Sequence, residues 1–131
     1  DRMQYYVSAC SNDAMQHAVL VALEKYPEYP EEMCAEFKAR RDLICDRLNA
    51  MPGVSCDVRT GAFYVFPTIE IPVMYSEEIA LKLLEGGVLC SPGTAFGSAG
   101  EGHLRFAYTI GREDISRGMD RVESVLSKLI D

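Results

Sequence analysis

The sequence predicts an α+β fold, a small and mostly antiparallel sheet covered by helices. Three observations carry this. Segments with helical spacing of apolar residues open and close the chain, and between them the pattern shifts to short stretches rich in aromatic and β-branched residues. The 131 residues, 48% hydrophobic and 25% charged, are of ordinary globular composition and suffice for one domain with its own core.

The elements follow in order. Residues 13–25 read as a helix capped by Asn12 or Asp13, with Met15, Val19, Leu20 and Leu23 at helical spacing and Ala18, Val21 and Ala22 widening the face. The run Tyr26-Pro27-Glu28-Tyr29-Pro30 interrupts it. A longer helix is expected from about 31 to 50, its start favoured by Glu31 and Glu32 at the positive end of the helix dipole. Met33, Phe37, Ile44 and Leu48 form its stripe, and Pro52-Gly53 ends it.

The middle of the chain reads as strands. Residues 54–59 make a short one and residues 62–67 a stronger one, while Pro67 and Pro72 bracket a loop. Ser76 is expected to cap a helix through Leu84, with Ile79, Ala80, Leu83 and Leu84 on one face and Gly86-Gly87 as the stop. Residues 88–91 form a short strand, and residues 97–102 a glycine-rich turn. From His103 to Thr109 the pattern alternates, Leu104, Phe106 and Tyr108 on one face and His103, Arg105 and Ala107 on the other. The last helix, residues 112–130, buries Ile115, Met119, Val122, Leu126 and Leu129.

Composition narrows the function classes. A net charge of −7 argues against binding a phosphate backbone, so no nucleic-acid partner is expected. No apolar run approaches the roughly 20 residues that span a bilayer, so no membrane partner is expected either. Five cysteines, at 10, 34, 45, 56 and 90, make an odd number without a CxxC pair, which favours reduced thiols and a cytoplasmic protein. His17 and His103 are the only histidines, too few for a zinc site, and no metal is expected.

Candidate chemistry is sparse. There is no GxSxG elbow, and Glu77–Glu78 is explained by the first turn of a helix. Gly93, Gly97, Gly100 and Gly102 match neither GxGxxG nor a P-loop, and a tight turn with positive φ accounts for them. Arg105 stands out because a planar guanidinium can hold a carboxylate through two parallel hydrogen bonds. On periodicity alone, an arginine on a solvated sheet face is the simpler reading.

Taken together, several motifs resemble one family. Gly61-Ala62-Phe63-Tyr64-Val65-Phe66-Pro67 resembles the GxFY(x)FP segment of class I and II pyridoxal-phosphate aminotransferases. Residues 87–97 are similar to their GVxxxPGxxFG segment, and residues 100–107 to their GEGxxR strand. Residues 11–22, with Gln16 and Ala18, resemble a helix of the family, and Arg40-Arg41-Asp42 its Arg-Arg-Asp. The order and spacing hold across nearly all of residues 1–131, and they resemble the C-terminal small domain of fold type I enzymes.

The resemblance implies a fragment of an enzyme that moves an amino group from an amino acid to a 2-oxo acid through pyridoxal 5'-phosphate. Arg105 would hold the substrate α-carboxylate, and Phe96, Gly61 and Phe63 would border the substrate. The family's Schiff-base lysine has no counterpart here, because Lys25, Lys38, Lys82 and Lys128 lack its sequence context. Neither catalytic nor cofactor-binding residues are therefore expected in this chain, and the cofactor would be held by the parent, not by the fragment. The start at Asp1 is read as a domain cut, with the helix at about 13–25 leading in from a missing large domain. The parent would be a homodimer. Two other readings stand beside this one: a non-catalytic α+β module that binds a ligand or regulates, and a fold type I enzyme of another reaction, such as a decarboxylase, lyase or synthase.

Overall fold

The structure is a computed structural model describing residues 2–7, 12–72 and 74–130; Asp1, Cys10 and Ser11, named above, lie outside them. The chain separates into two compact units, Asp1–Ala35 and Glu36–Asp131.

The first unit holds α1 (Arg2–Val7), α2 (Asp13–Lys25) and the start of α3 (Tyr29–Asn49). Asn12 keeps an extended backbone, and its Oδ1 accepts the Met15 N–H at 3.2 Å, so the expected cap is present. Helix α1 was not foreseen, since six residues are too short to show a period. Helix α3 begins two residues earlier than the expected 31. Pro30 lies inside its first turn, where an N–H would have no helical partner anyway. On α2, Met15, Val19, Leu20 and Leu23 are exposed.

The second unit holds the rest of α3, then β1 (Val54–Ser55), β2 (Tyr64–Val65), β3 (Thr68–Ile69), α4 (Ser76–Glu85), β4 (Ser91–Pro92), β5 (Leu104–Ala107) and α5 (Arg112–Ile130). The strands form two antiparallel ladders, β1–β3 and β2–β5–β4, with β5 in the centre of the second. Ile44, Cys45 and Leu48 of α3, Ile79 and Leu83 of α4, and Ile115, Met119, Val122 and Leu126 of α5 meet Val65, Ile69, Leu104 and Phe106 of the strands in one core. Each of these side chains except Cys45 contributes about 1.5 to 3 kcal/mol on burial. The alternation of β5 is as expected, with Leu104, Phe106 and Tyr108 buried and Arg105 half-buried on the other face.

Several boundaries differ from the sequence expectation, each for a local reason. The strand over 54–59 shrinks to Val54–Ser55 and that over 62–67 to Tyr64–Val65. The segment between Pro67 and Pro72 is not all loop: Thr68 and Ile69, both good strand formers, pair with Ser55 and Val54. The strand expected at 88–91 begins only at Ser91 and includes Pro92. Val88 is consumed by the end of α4, its N–H donating back to the Leu83 carbonyl at 2.8 Å across Gly87, whose φ is +81°. Pro92 is tolerated because β4 is an edge strand. Leu84 is 52% exposed instead of sharing the buried face of Ile79 and Leu83, and Leu129 is only half-buried.

Ser76 is the first residue of α4 and not its cap. Its N–H and Oγ both donate to Glu101 Oε1, at 2.7 and 2.9 Å, and the Gly102 N–H donates to Ser76 Oγ at 2.8 Å. The start of α4 is thus capped by a carboxylate from the turn that leads into β5. The Tyr75 N–H is taken by Glu78 at 2.9 Å, which gives that acidic residue a structural use.

Candidate functional site

The site is built on β5 and its two neighbours. In the pairing register Ser91 of β4 stands opposite Arg105, and Tyr64 of β2 stands opposite Ala107. Residues two apart on a strand share a face, so Tyr64, Ala107, Arg105 and Ser91 lie on one side of the sheet, opposite the core. The fourth contributor, Phe96, ends a single 3-10 turn, Gly93–Phe96, directly after β4.

These elements converge on the Arg105 guanidinium. Its central carbon lies 4.4 Å from the Tyr64 ring centroid and 4.3 Å from that of Phe96. Its Nη2 donates to Ser91 Oγ at 3.4 Å, a long bond. Among the described residues Arg105 and the exposed Arg121 have no carboxylate partner, whereas Arg40, Arg41, Arg47, Arg59, Arg112 and Arg117 each have at least one. A half-buried, permanently charged group held by rings and lacking an internal anion is suited to receive one from outside.

The other expected residues fall around this centre. Phe96 touches Arg105 directly and meets Phe66 edge-on at 6.1 Å. Phe63 reaches the site through Tyr64, with ring centroids 4.5 Å apart, and Phe37 lies 6.5 Å beyond Phe63. Gly61 is exposed, in a turn whose next residue, Ala62, has φ +61°. That turn is pinned by the Tyr108 hydroxyl, which donates to the Ala62 carbonyl at 2.9 Å, and by the Tyr108 N–H, which donates to Phe63 O at 3.0 Å. Tyr64 and Ser91 were not singled out from the sequence. Their spacing to Arg105 carries no signal until strand register is known.

The approach to β5 is fixed by Glu101. Besides its bonds from Ser76, its Oε1 accepts the Gly102 N–H at 3.0 Å. The Ser76 backbone N–H foremost, then that of Gly102 and the Ser76 hydroxyl, hold this carboxyl below its ordinary pKa. His103 is likewise structural. Its Nδ1 lies 3.0 Å from the Glu101 carbonyl, which can only accept, so Nδ1 donates to it, and Nε2 shares a 3.2 Å hydrogen bond with the Thr68 hydroxyl. Its ring stacks on Phe66 at 5.1 Å. No group of three metal-ligating side chains occurs among the described residues. No helix among them is long and apolar enough to cross a membrane.

The lysines do not fit a Schiff-base site. Lys25, Lys38, Lys82 and Lys128 all sit exposed on helices. Lys38 is paired with Asp42 and Lys82 with Glu85. The described residues therefore do not by themselves fit a pyridoxal-phosphate site.

Comparison with known proteins gives the family. The family model described as "Aminotransferase class I and II" matches residues 2–122. The chain is 39% identical over 130 residues to aromatic-amino-acid aminotransferase 2 of Thermococcus litoralis, covering 97% of this chain and 33% of that protein. It is 40% identical over 128 residues to an aspartate aminotransferase of Pyrococcus abyssi, covering 95% and 33% respectively. Among solved structures, an alanine aminotransferase from Pyrococcus furiosus superposes with a TM-score of 0.86 at 35% identity, over 94% of this chain and 32% of that one. An aromatic aminotransferase from Pyrococcus horikoshii does so with a TM-score of 0.86 at 37% identity, over 97% and 35%. The chain thus spans about a third of the length of the curated relatives it matches.

Proposed function

Because the chain belongs to the class I and II aminotransferase family, we propose that it is the small C-terminal domain of a pyridoxal-phosphate aminotransferase in which Arg105 binds the substrate α-carboxylate. The observation that carries this is the Arg105 guanidinium, in contact with the Tyr64 and Phe96 rings and without a carboxylate partner among the described residues. The parent transfers an amino group between an amino acid and a 2-oxo acid, and both substrates present an α-carboxylate. Similar proteins are named for aromatic amino acids, aspartate and alanine, whose side chains differ widely. The group these compounds share is the one a guanidinium recognises. That supports a role for this chain in holding the common part of the substrate.

On this reading residues 1–131 supply no lysine for the cofactor, and the isolated chain is inactive. The cofactor, its lysine and the residues that select a side chain belong to a large domain, from which α2 leads in. The parent works as a homodimer, and the free thiols of Cys34, Cys45, Cys56 and Cys90 fit a cytoplasmic setting. Residues 36–131 supply the carboxylate anchor and hold the substrate against the remainder of the pocket.

The test is Arg105→Ala in the full-length polypeptide. Loss of a charge-assisted pair predicts a fall in kcat/KM equivalent to about 2 to 4 kcal/mol for amino acid donors. Kinetics close to wild type would remove Arg105 from the site. Saturable micromolar binding of amino acids by the isolated chain would favour a stand-alone sensor, because half of the proposed pocket is missing from it.

A further inference from the structure

We infer that Tyr64 and Phe96 are positioning residues that fix the plane of the Arg105 guanidinium, so that a carboxylate can approach only along its N–H edge. The inference rests on the proposed role of Arg105 and adds two residues to it.

An arginine side chain on a sheet face has several rotatable bonds, and ordering it costs entropy that a bound carboxylate would otherwise have to offset. Here two aromatic rings lie 4.4 and 4.3 Å from the guanidinium carbon, within the range of strong cation–π contact. Two rings this close limit the swing of the guanidinium, and its N–H groups point outward in its own plane. That edge is where two parallel hydrogen bonds to a carboxylate form. The Ser91 hydroxyl accepts one Nη2 hydrogen from directly across the strand pair, which fixes rotation within the plane.

Each ring is itself held. Tyr64 sits in β2, hydrogen-bonded to the same strand that carries Arg105, and packs on Phe63 at 4.5 Å. Phe96 ends a 3-10 turn and meets Phe66, which in turn stacks on His103. Neither ring stands on its own, and neither can drift without disturbing its neighbours. Tyr64 and Phe96 act through Arg105; they are not catalytic residues.

The test uses the full-length, cofactor-loaded polypeptide carrying Tyr64→Leu, Phe96→Leu, Tyr64→Phe or Arg105→Met. Each is assayed with the best amino acid donor, with the corresponding amine that lacks the carboxylate, and by equilibrium titration with the matching 2-oxo acid. Tyr64→Leu and Phe96→Leu are expected to raise KM for the amino acid and Kd for the 2-oxo acid roughly 3- to 30-fold. They should leave kcat within about threefold and weaken the amine half-reaction far less than the amino acid one. Tyr64→Phe keeps the ring and should restore wild-type binding. Parallel losses with amino acid and amine, or a Tyr64→Phe variant no better than Tyr64→Leu, would overturn the inference. Arg105→Met separates the two claims. If it abolishes the preference for carboxylate-bearing substrates while the ring variants keep wild-type KM and Kd, only the positioning role fails. If Arg105→Met leaves that preference intact, the assignment of Arg105 fails as well.

Discussion

Gly93 and Gly100 lie backbone against backbone: a Cβ built on Gly93 would stand 2.0 Å from the Gly100 carbonyl oxygen, and one on Gly100 would stand 2.0 Å from that of Gly93. The Gly93 N–H also donates to the His103 carbonyl at 2.8 Å. The turn bearing Phe96 is thereby clamped to the chain entering β5.

Gly93→Ala is therefore expected to cost about 1 to 3 kcal/mol or more, because the obstruction is backbone and cannot rotate away. Gly102→Ala is a useful contrast. Its Cβ would meet open space, but its φ is +77°, so the expected cost is that of left-handed backbone alone, about 1 to 2 kcal/mol. Denaturant unfolding of the 131-residue chain reads both. Equal stability of Gly93→Ala and wild type would mean that the two backbones do not touch.

Glu101 gives the fold a dependence on acid. Its pKa is depressed in the folded state by the Ser76 N–H first and the Gly102 N–H next, so its contribution is present above the ordinary carboxylate value and is lost as pH falls through the lower, folded one. Glu101→Gln should lower Tm at neutral pH, and the gap to wild type should close on acidification through and below about pH 4.5. A gap that stays constant with pH would show that the charge of Glu101 has no part in holding α4.

Thiol reactivity should follow burial. Cys34 is exposed, Cys45 and Cys56 are buried, and Cys90 is half-buried. Burial pushes the Cys56 thiol up to about 12 and the Cys90 thiol up to about 11, and raises Cys45 as well. At pH 8 only about one Cys90 in a thousand is then a thiolate, so among these four alkylation should mark Cys34 first, Cys90 slowly, and Cys45 and Cys56 only in denaturant. Peptide mass spectrometry after timed iodoacetamide treatment follows the order. Early labelling of Cys56 would contradict the packing of α3 on β1.

The two adjacent leucines of α4 should differ sharply. Leu83 is fully buried and Leu84 is 52% exposed. Leu83→Ala is expected to cost about 2 to 5 kcal/mol, and Leu84→Ala about 0.5 kcal/mol or less, in the same unfolding measurement. Comparable losses would mean that α4 is rotated from the orientation described.

The long helices were legible because their apolar spacing repeats over several turns; Ile115, Met119, Val122 and Leu126 of α5 are all buried as expected. The alternation from Leu104 to Tyr108 was legible for the same reason. Two-residue strands offer no period, so β3 was hidden between Pro67 and Pro72. Arg105 could be singled out by residue chemistry and by its motif, and Phe96 by its motif. Tyr64 and Ser91 could not, since their nearness to Arg105 comes from the antiparallel register of β2 and β4 against β5. The cap on α4 was misassigned to Ser76 because the carboxylate that performs it, Glu101, lies 25 residues away in sequence.

Arg105, Tyr64, Phe96 and Ser91 all come from the segment after Ala35, and none of their mutual contacts calls on another chain. A grip assembled in this way is portable. On the proposed reading, exchanging residues 36–131 between two relatives of different substrate preference should transplant the hold on the α-carboxylate intact and leave the choice of side chain with the recipient. On that reading the segment is a common handle, on which different enzymes can mount their own discrimination.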